Sequence, residues 1–165
     1  MGKLNEGMFS SNDQKWSTPQ DLFDKLNSVF NFDIDLAAAD DSAKCEKYYT
    51  EEDDAFQYEW NEKNAYINPP YGRYQIKWIE RASEQSKKYN NTIVMLIPAR
   101  PDTKAWQNII FKSASTICFI KGRLKFSDRR DSAPFPSALI VFGEINKKQL
   151  EVLNDLGKTF NNSIN

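Results

Sequence analysis

The chain has 165 residues, the length of one domain, and its 40% hydrophobic and 13% aromatic content is enough for a real core. Lys and Arg number 22 against 23 Asp and Glu, a net charge of −1, so overall charge does not announce a nucleic-acid binder, and any such binding must come from local patches. Histidine is absent, which removes Ser-His and Cys-His nucleophile pairs and His-based zinc sites, and Cys45 and Cys118 are too few for a thiolate metal site. No metal is therefore expected. No apolar run approaches membrane-spanning length, and the opening residues read neither as a signal peptide nor as a myristoylation site. A soluble, intracellular protein with reduced cysteines is expected, without membrane attachment.

Residues 1–15 are polar and read as a flexible segment ahead of a single domain over 16–158. Thr18-Pro19 starts a helix, with Thr18 as its cap, and Leu22, Phe23, Leu26, Val29 and Phe30 recur at helical spacing behind it. Phe32 to Ala37 alternates apolar and acidic residues and reads as a strand. Tyr48-Tyr49-Thr50 reads as a short strand before the acidic run Glu51-Glu52-Asp53-Asp54. Ala65-Tyr66-Ile67 is a strand, and residues 76–89 a helix. Thr92 to Ile97 is an apolar strand on both faces, ended by Pro98, which suits a sheet covered on both sides. Asp102 caps a helix with Trp106, Ile109, Ile110 and Phe111 facing inward. Ser115 to Ile120 and Ser137 to Phe142 are strands on either side of a basic loop, residues 146–156 form a peripheral helix, and 159–165 form a tail. Strands alternating with helices predict a three-layer αβα fold with a mostly parallel sheet.

Asn68-Pro69-Pro70-Tyr71 follows a strand and is the most informative stretch. The prolines fix their own φ angles, and Pro69 holds Asn68 extended. The turn thus presents an amide, the Pro69 carbonyl and an aromatic ring in one stiff arrangement. An amide oxygen and a carbonyl together accept both hydrogens of an exocyclic amine, and a ring beside them stacks on the base that carries it. A plain proline turn is the alternative reading of the four residues alone. Asp35, Asn68 and Arg100 all fall at or just past strand ends, where ligands of such sheets sit.

With these segments in order, the chain resembles the small Dam-like DNA N6-adenine methyltransferases of bacteriophages and prophages. The resemblance covers about three quarters of the chain. It is carried by Trp16-Ser17-Thr18-Pro19, Asp35-Leu36-Ala37-Ala38, Asn68-Pro69-Pro70-Tyr71-Gly72-Arg73, the run from Leu96 to Thr103, Lys121-Gly122-Arg123-Leu124-Lys125-Phe126, and Pro134 to Leu139. It implies a minimal Rossmann-like methyltransferase fold, S-adenosylmethionine as methyl donor, DNA as partner, and action in the bacterial host cytoplasm as a monomer or homodimer. Asn68, with the Pro69 carbonyl, would accept from the target N6-amine, Pro70 would stiffen the turn, and Tyr71 would stack on the extruded adenine.

For the cofactor the resemblance implicates Trp16, Thr18 and Pro19, then Asp35 at the ammonium group with Leu36 and Ala37, and Asn68. Asp54 is the candidate for the cofactor's adenine or ribose, with Glu51, Glu52 and Asp53 as competitors and a solvated acidic loop as the alternative. The glycine-rich turn usual after the first strand is replaced here by alanines, and residues 38–65 are short enough for an element of the standard fold to have been lost. Lys121, Arg123, Lys125, Arg129 and Arg130 cluster around Phe126, which suits phosphate contact with base insertion, and Arg73, Lys77, Arg100 and Lys104 extend that rim. Asn-Pro-Pro-Tyr also serves protein glutamine N5 and RNA guanine N2 methylation. A degenerate fold that only binds DNA is a further reading, which the intact turn opposes.

Overall fold

The two-sided apolar run after Asn91 becomes β3 (Thr92–Pro98), at the centre of a six-stranded sheet. A computed structural model describes residues 16–127 and 129–162, so the expected flexible segment over 1–15 lies outside the described residues. The other strands are β1 (Ile34–Asp35), β2 (Asn64–Ile67), β4 (Thr116–Ile120), β5 (Ser137–Phe142) and β6 (Gly157–Asn161), in the order β1-β2-β3-β5-β4-β6. Strands β1, β2 and β3 run parallel, whereas β5 is antiparallel to both β3 and β4, and β6 is antiparallel to β4. The sheet is therefore parallel at one end only, which corrects the mostly parallel expectation. The cause is topological: β4 lies one place out from β3, and β5 returns through the gap.

Side chains alternate across the central strands, so each face collects its own core. Ile93, Met95 and Ile97 join Ile34, Ile67, Trp78, Ile79 and Trp106 on one face. That face is covered by α2 (Gln75–Tyr89) and by the π-helical turn Trp106–Ile110, which leads into α3 (Phe111–Ser113). Val94 and Leu96 join Leu22, Phe23, Leu26, Phe30, Cys118 and Leu153 on the other, beneath α1 (Gln20–Phe30) and α4 (Lys147–Leu156). The three layers expected from the sequence are present.

Four local expectations change. Thr18 does not cap α1: Pro19 precedes the helix, and the Thr18 hydroxyl pairs with the Tyr66 hydroxyl at 2.6 Å. Phe111 is 42% exposed, because the π turn keeps Trp106 and Ile110 inside and rotates the following residue outward. The strand expected over 48–50 reduces to a single bridge between Asp35 and Tyr48. The tail expected from 159 is, through Asn161, the edge strand β6. Gly157 permits this by letting the chain turn directly off α4, since a Cβ there would lie 2.0 Å from the Phe119 carbonyl oxygen.

The irregular segment between β1 and β2 is fastened by buried polar bonds. The Trp60 backbone N–H donates to Gln85 Oε1 at 2.7 Å, and its indole N–H donates to the Ala55 carbonyl at 3.0 Å. Beyond β5, Gly143 has φ +103°, and a Cβ there would fall 2.2 Å from the Asn91 carbonyl oxygen. Gly143→Ala is therefore expected to cost about 1–3 kcal/mol in backbone strain alone. The steric conflict adds to that. Gly122 also has a positive φ but no atom within 4 Å, so Gly122→Ala should cost only about 1 kcal/mol. Thermal melts of the two variants check the contact: equal losses would mean that Gly143 is not pressed against Asn91.

Candidate active site

Register places the functional segments together. Ile34 aligns with Ala65, Ile67 with Met95, and Pro98 with Ser137. The ends of β1, β2, β3 and β4 and the start of β5 therefore share one sheet edge. Residues 36–44, 68–74, 99–103 and 121–136 all leave from it, the position where ligands of open α/β sheets bind. Two clefts open there, of about 860 Å³ and about 800 Å³.

The first cleft is lined by Trp16, Thr18, Asp35, residues 37–44, Glu51, Glu52, Asn68, Pro69, Pro70 and Ser127. Asp35 is 3% exposed, and its carboxylate accepts from the Ala37 N–H at 3.2 Å and the Lys44 N–H at 3.1 Å. Burial pushes its carboxyl up to about 6, against the pull of those two bonds. The Lys44 ammonium is turned away, to Gln20 Oε1 at 2.8 Å. Asp35 is thus a buried carboxylate whose electrostatics favour the arrival of a cation.

Three cofactor expectations are relocated. Leu36 is fully buried in the core, with its N–H on the Tyr66 carbonyl, so it supports the sheet and leaves the cleft to Ala37. Pro19 is buried at the start of α1 and lies outside the lining of the cleft. Asp54 is 5% exposed and caps its own 3₁₀ turn, accepting from the Phe56 N–H and from Gln57 Nε2. Asp53 is likewise bonded to Thr50. Of the acidic run, Glu51 and Glu52 are the members that line the cleft.

Asn68 stands where the clefts meet. Its Nδ2 donates to the Trp16 carbonyl, while Oδ1 is buried without a hydrogen-bond partner. Because the amide's nitrogen is taken, its oxygen is the end left to a ligand. Residues 68–70 line the first cleft, Tyr71, Gly72 and Arg73 line the second, and Trp16 lines both.

The second cleft has an apolar wall of Tyr71, Ile76, Ile79, Trp106 and Phe135, with Arg73, Arg100 and Lys104 among its lining. Tyr71 is 6% exposed, its hydroxyl 3.4 Å from the Leu96 carbonyl, and its ring lies edge-on to Phe135 and Phe126. Arg100 lies over the Phe135 ring at 5.8 Å, and Arg73 over Tyr74 at 5.5 Å.

The basic loop divides. Lys121, Arg123, Lys125 and Arg130 are exposed, as is Lys77 on α2, and none of them lines either cleft. Phe126, expected to insert between bases, is 1% exposed and packs edge-on to Trp16 at 5.4 Å, which makes it a core support behind the Trp16 ring. Arg129 lies over the Trp16 ring at 3.9 Å. Sequence reasoning missed Ser127, Trp106 and Phe135 as lining residues. Phe135 lies in the Pro134 to Leu139 run that carries the resemblance, whereas nothing local marks Ser127 or Trp106, since only the fold brings the loops to one edge. Among the described residues no helix is long and apolar enough to cross a membrane, and no group of three Cys, Asp or Glu side chains is placed to hold a metal ion.

Comparison with known proteins extends this picture. The family model for DNA N-6-adenine-methyltransferase (Dam) matches residues 7–155. The chain is 35% identical over 111 residues to a DNA N-6-adenine-methyltransferase of Escherichia phage T1, covering 66% of this chain but 45% of that relative, so it spans about half that protein's length. It is 29% identical over 135 residues to a DNA N-6-adenine-methyltransferase of Haemophilus phage HP1 (strain HP1c1), covering 77% of each. A putative methyltransferase, YfdM, of Escherichia coli (strain K12) is 41% identical over 64 residues, 34% of this chain and 70% of its own. The match takes in Trp16, Asp35, the Asn68–Tyr71 turn and the loop that closes both clefts, and the chain belongs to the DNA N-6-adenine-methyltransferase (Dam) family.

Proposed function

We propose that the chain transfers a methyl group from S-adenosylmethionine to N6 of adenine in DNA, with the donor in the first cleft and the extruded base in the second. The observation that carries this reading is Asn68: a buried amide oxygen without a partner, fixed at the junction of the two clefts. An unsatisfied buried acceptor is costly, and an incoming amine N–H satisfies it.

When bound, S-adenosylmethionine supplies an electrophilic sulfonium methyl. The residues of the first cleft fit it. Asp35 meets the ammonium group, and Glu51 and Glu52 offer acceptors to hydroxyl or amine groups. Ala37, Ala38 and Ala39 keep the backbone accessible where glycine is missing. From the first-cleft side of the junction, Asn68 Oδ1 and the Pro69 carbonyl accept from the N6-amine of the base held in the second cleft, drawing it out of conjugation and towards the first cleft. Most of the catalysis then comes from positioning. Tyr71 and Phe135 form an aromatic wall for the base, and Arg73, Arg100 and Lys104 neutralise backbone phosphates. The exposed cations of residues 121–130 extend the same footprint. We read the β1–β3 half of the sheet as a reduced Rossmann-like core, supported by the parallel register and by the single 3₁₀ turn (Ala55–Gln57) between β1 and β2.

Incubation with unmethylated DNA and methyl-labelled S-adenosylmethionine, followed by nucleoside mass spectrometry, is expected to yield N6-methyladenine. Label on RNA or protein instead would overturn the assignment. Asn68→Ala should lower kcat by roughly 100-fold or more while sparing cofactor affinity and the melting temperature. Near-normal turnover would remove Asn68 from its role.

Asp35 gives cofactor binding a pH signature. With its carboxyl near 6 in the free protein, protonation below that pH must be reversed before an ammonium group can pair with it. Affinity should therefore fall by about tenfold per pH unit below 6, with one proton released on binding at pH 5 and none at pH 7.5. Without ligand the sign for stability is opposite to that of a salt-bridged acid. The folded pKa lies above the ordinary 3.8, so this group's contribution falls as pH rises from about 4 to 6. Calorimetry at several pH values checks both, and Asp35→Asn should abolish the pH dependence while weakening binding at neutral pH. A flat profile in the unaltered protein would separate Asp35 from the ammonium group.

A further inference from the structure

We propose that Arg129 is a positioning residue for methyl transfer, holding Asn68 in its working orientation through Trp16. The inference rests on the reading of Asn68 as the group that receives the acceptor amine.

The two ends of a carboxamide are nearly the same size, and little but hydrogen bonding decides which end points where. Turned over, the Asn68 amide would set its oxygen against the Trp16 carbonyl and its N–H groups against the hydrogens of the amine. Both contacts would repel. The Trp16 carbonyl, by accepting from Asn68 Nδ2, therefore selects the productive orientation. Its own position must then be fixed.

Trp16 lies ahead of α1, in neither helix nor strand, so no secondary-structure ladder holds it. The clamp comes from residues 121–136. Phe126 and Phe135 meet the Trp16 ring edge-on at 5.4 and 5.0 Å. The Ser127 N–H donates to the Ser17 carbonyl at 2.9 Å, and the Ser127 hydroxyl donates to the Thr18 carbonyl at 3.1 Å. Arg129 completes the clamp, its guanidinium 3.9 Å from the ring centroid, close enough for a planar stack. Phe126 and Phe135 also build the core, and Ser127 also lines the first cleft. Arg129 belongs to neither and lines neither cleft, so its contact with Trp16 can be removed without taking away a cleft wall.

Sequence alone places Arg129 with the phosphate-binding cations, and the two roles separate kinetically. For Arg129→Ala the expected result is a kcat lower by roughly tenfold or more, with the KM for DNA, its salt dependence and cofactor affinity unchanged. Arg129→Lys keeps the charge but not the planar guanidinium and should lose nearly as much. If instead the KM for DNA rises, kcat holds and the slope of log kcat/KM against log salt falls by about one, Arg129 is a phosphate contact and the inference fails. It also fails if neither parameter moves.

A second readout does not depend on turnover. The Asn68 side-chain NH₂ resonance, identified by its loss in Asn68→Ala, should exchange with solvent roughly tenfold faster in Arg129→Ala than in the unaltered protein. Unchanged exchange overturns the inference even if no substrate is methylated. Absence of methylation by the unaltered protein, with faster exchange in the variant, would instead sink the assigned reaction and leave the clamp established.

Discussion

The register of β5 against β3 is the constraint on which the site depends. β5 runs antiparallel, with Pro98 opposite Ser137, so residues 121–136 are delivered to the edge where β1, β2 and β3 end. A parallel β5 would need a crossover and would begin at the opposite edge, leaving Trp16 and Asn68 without their clamp. Burial fixes this register. All six residues of β5 are buried, Ala138, Ile140 and Phe142 on one face and Leu139 and Val141 on the other. A slip of one residue would exchange the two sets against cores built for different shapes. At the far end Gly143 meets the Asn91 backbone, which stops the strand from sliding further.

Polar groups divide into those that complete the fold and those that the fold leaves open. Gln85 satisfies the Trp60 backbone, Thr18 and Tyr66 satisfy each other, and Asn91 Nδ2 spans two carbonyls. Asn68 Oδ1 is buried without a partner, and Asp35 is buried with two N–H bonds but with the Lys44 ammonium directed elsewhere. Lack of a partner does not mark a site by itself, since Glu62, Asn91 and Ser137 also carry such atoms. What distinguishes Asn68 and Asp35 is that both line one cleft and need complementary ligand groups, a donor for one and a cation for the other. The cost of leaving them open is recovered on binding, which is why such groups persist at functional sites.

Much of this was legible in the sequence, for identifiable reasons. β3 and β5 carry apolar residues on both faces, so their burial needed no context. The Asn68–Tyr71 turn is stiff by covalent geometry, and its placement after β2 follows from local pattern. What was not legible depended on distant partners. Four adjacent acids from Glu51 to Asp54 have the same chemistry, and only the 3₁₀ turn decides that Asp54 caps while Glu51 and Glu52 face the cleft. Phe126 reads as a loop aromatic until Trp16 and Tyr71 close over it. The direction of β5 and the edge strand β6 are set by pairings between residues far apart in the chain, which periodicity does not record.

The two clefts share a wall, and that economy explains the density of contacts at Trp16. Between Pro70 and Tyr71 the backbone passes from the lining of one cleft to that of the other. The turn and the Trp16 ring thus belong to the linings of both clefts, so displacement of either changes both sides together. One segment ahead of α1, one turn and one loop line both clefts, each braced by the others through the Asn68–Trp16 bond, the Ser127 bonds to residues 17 and 18, and the Arg129 guanidinium over the Trp16 ring. Precision at the junction thus comes from mutual bracing of three non-helical segments. On the proposed reading, a ligand that orders the shared wall from one cleft reduces the ordering that the ligand of the other must supply.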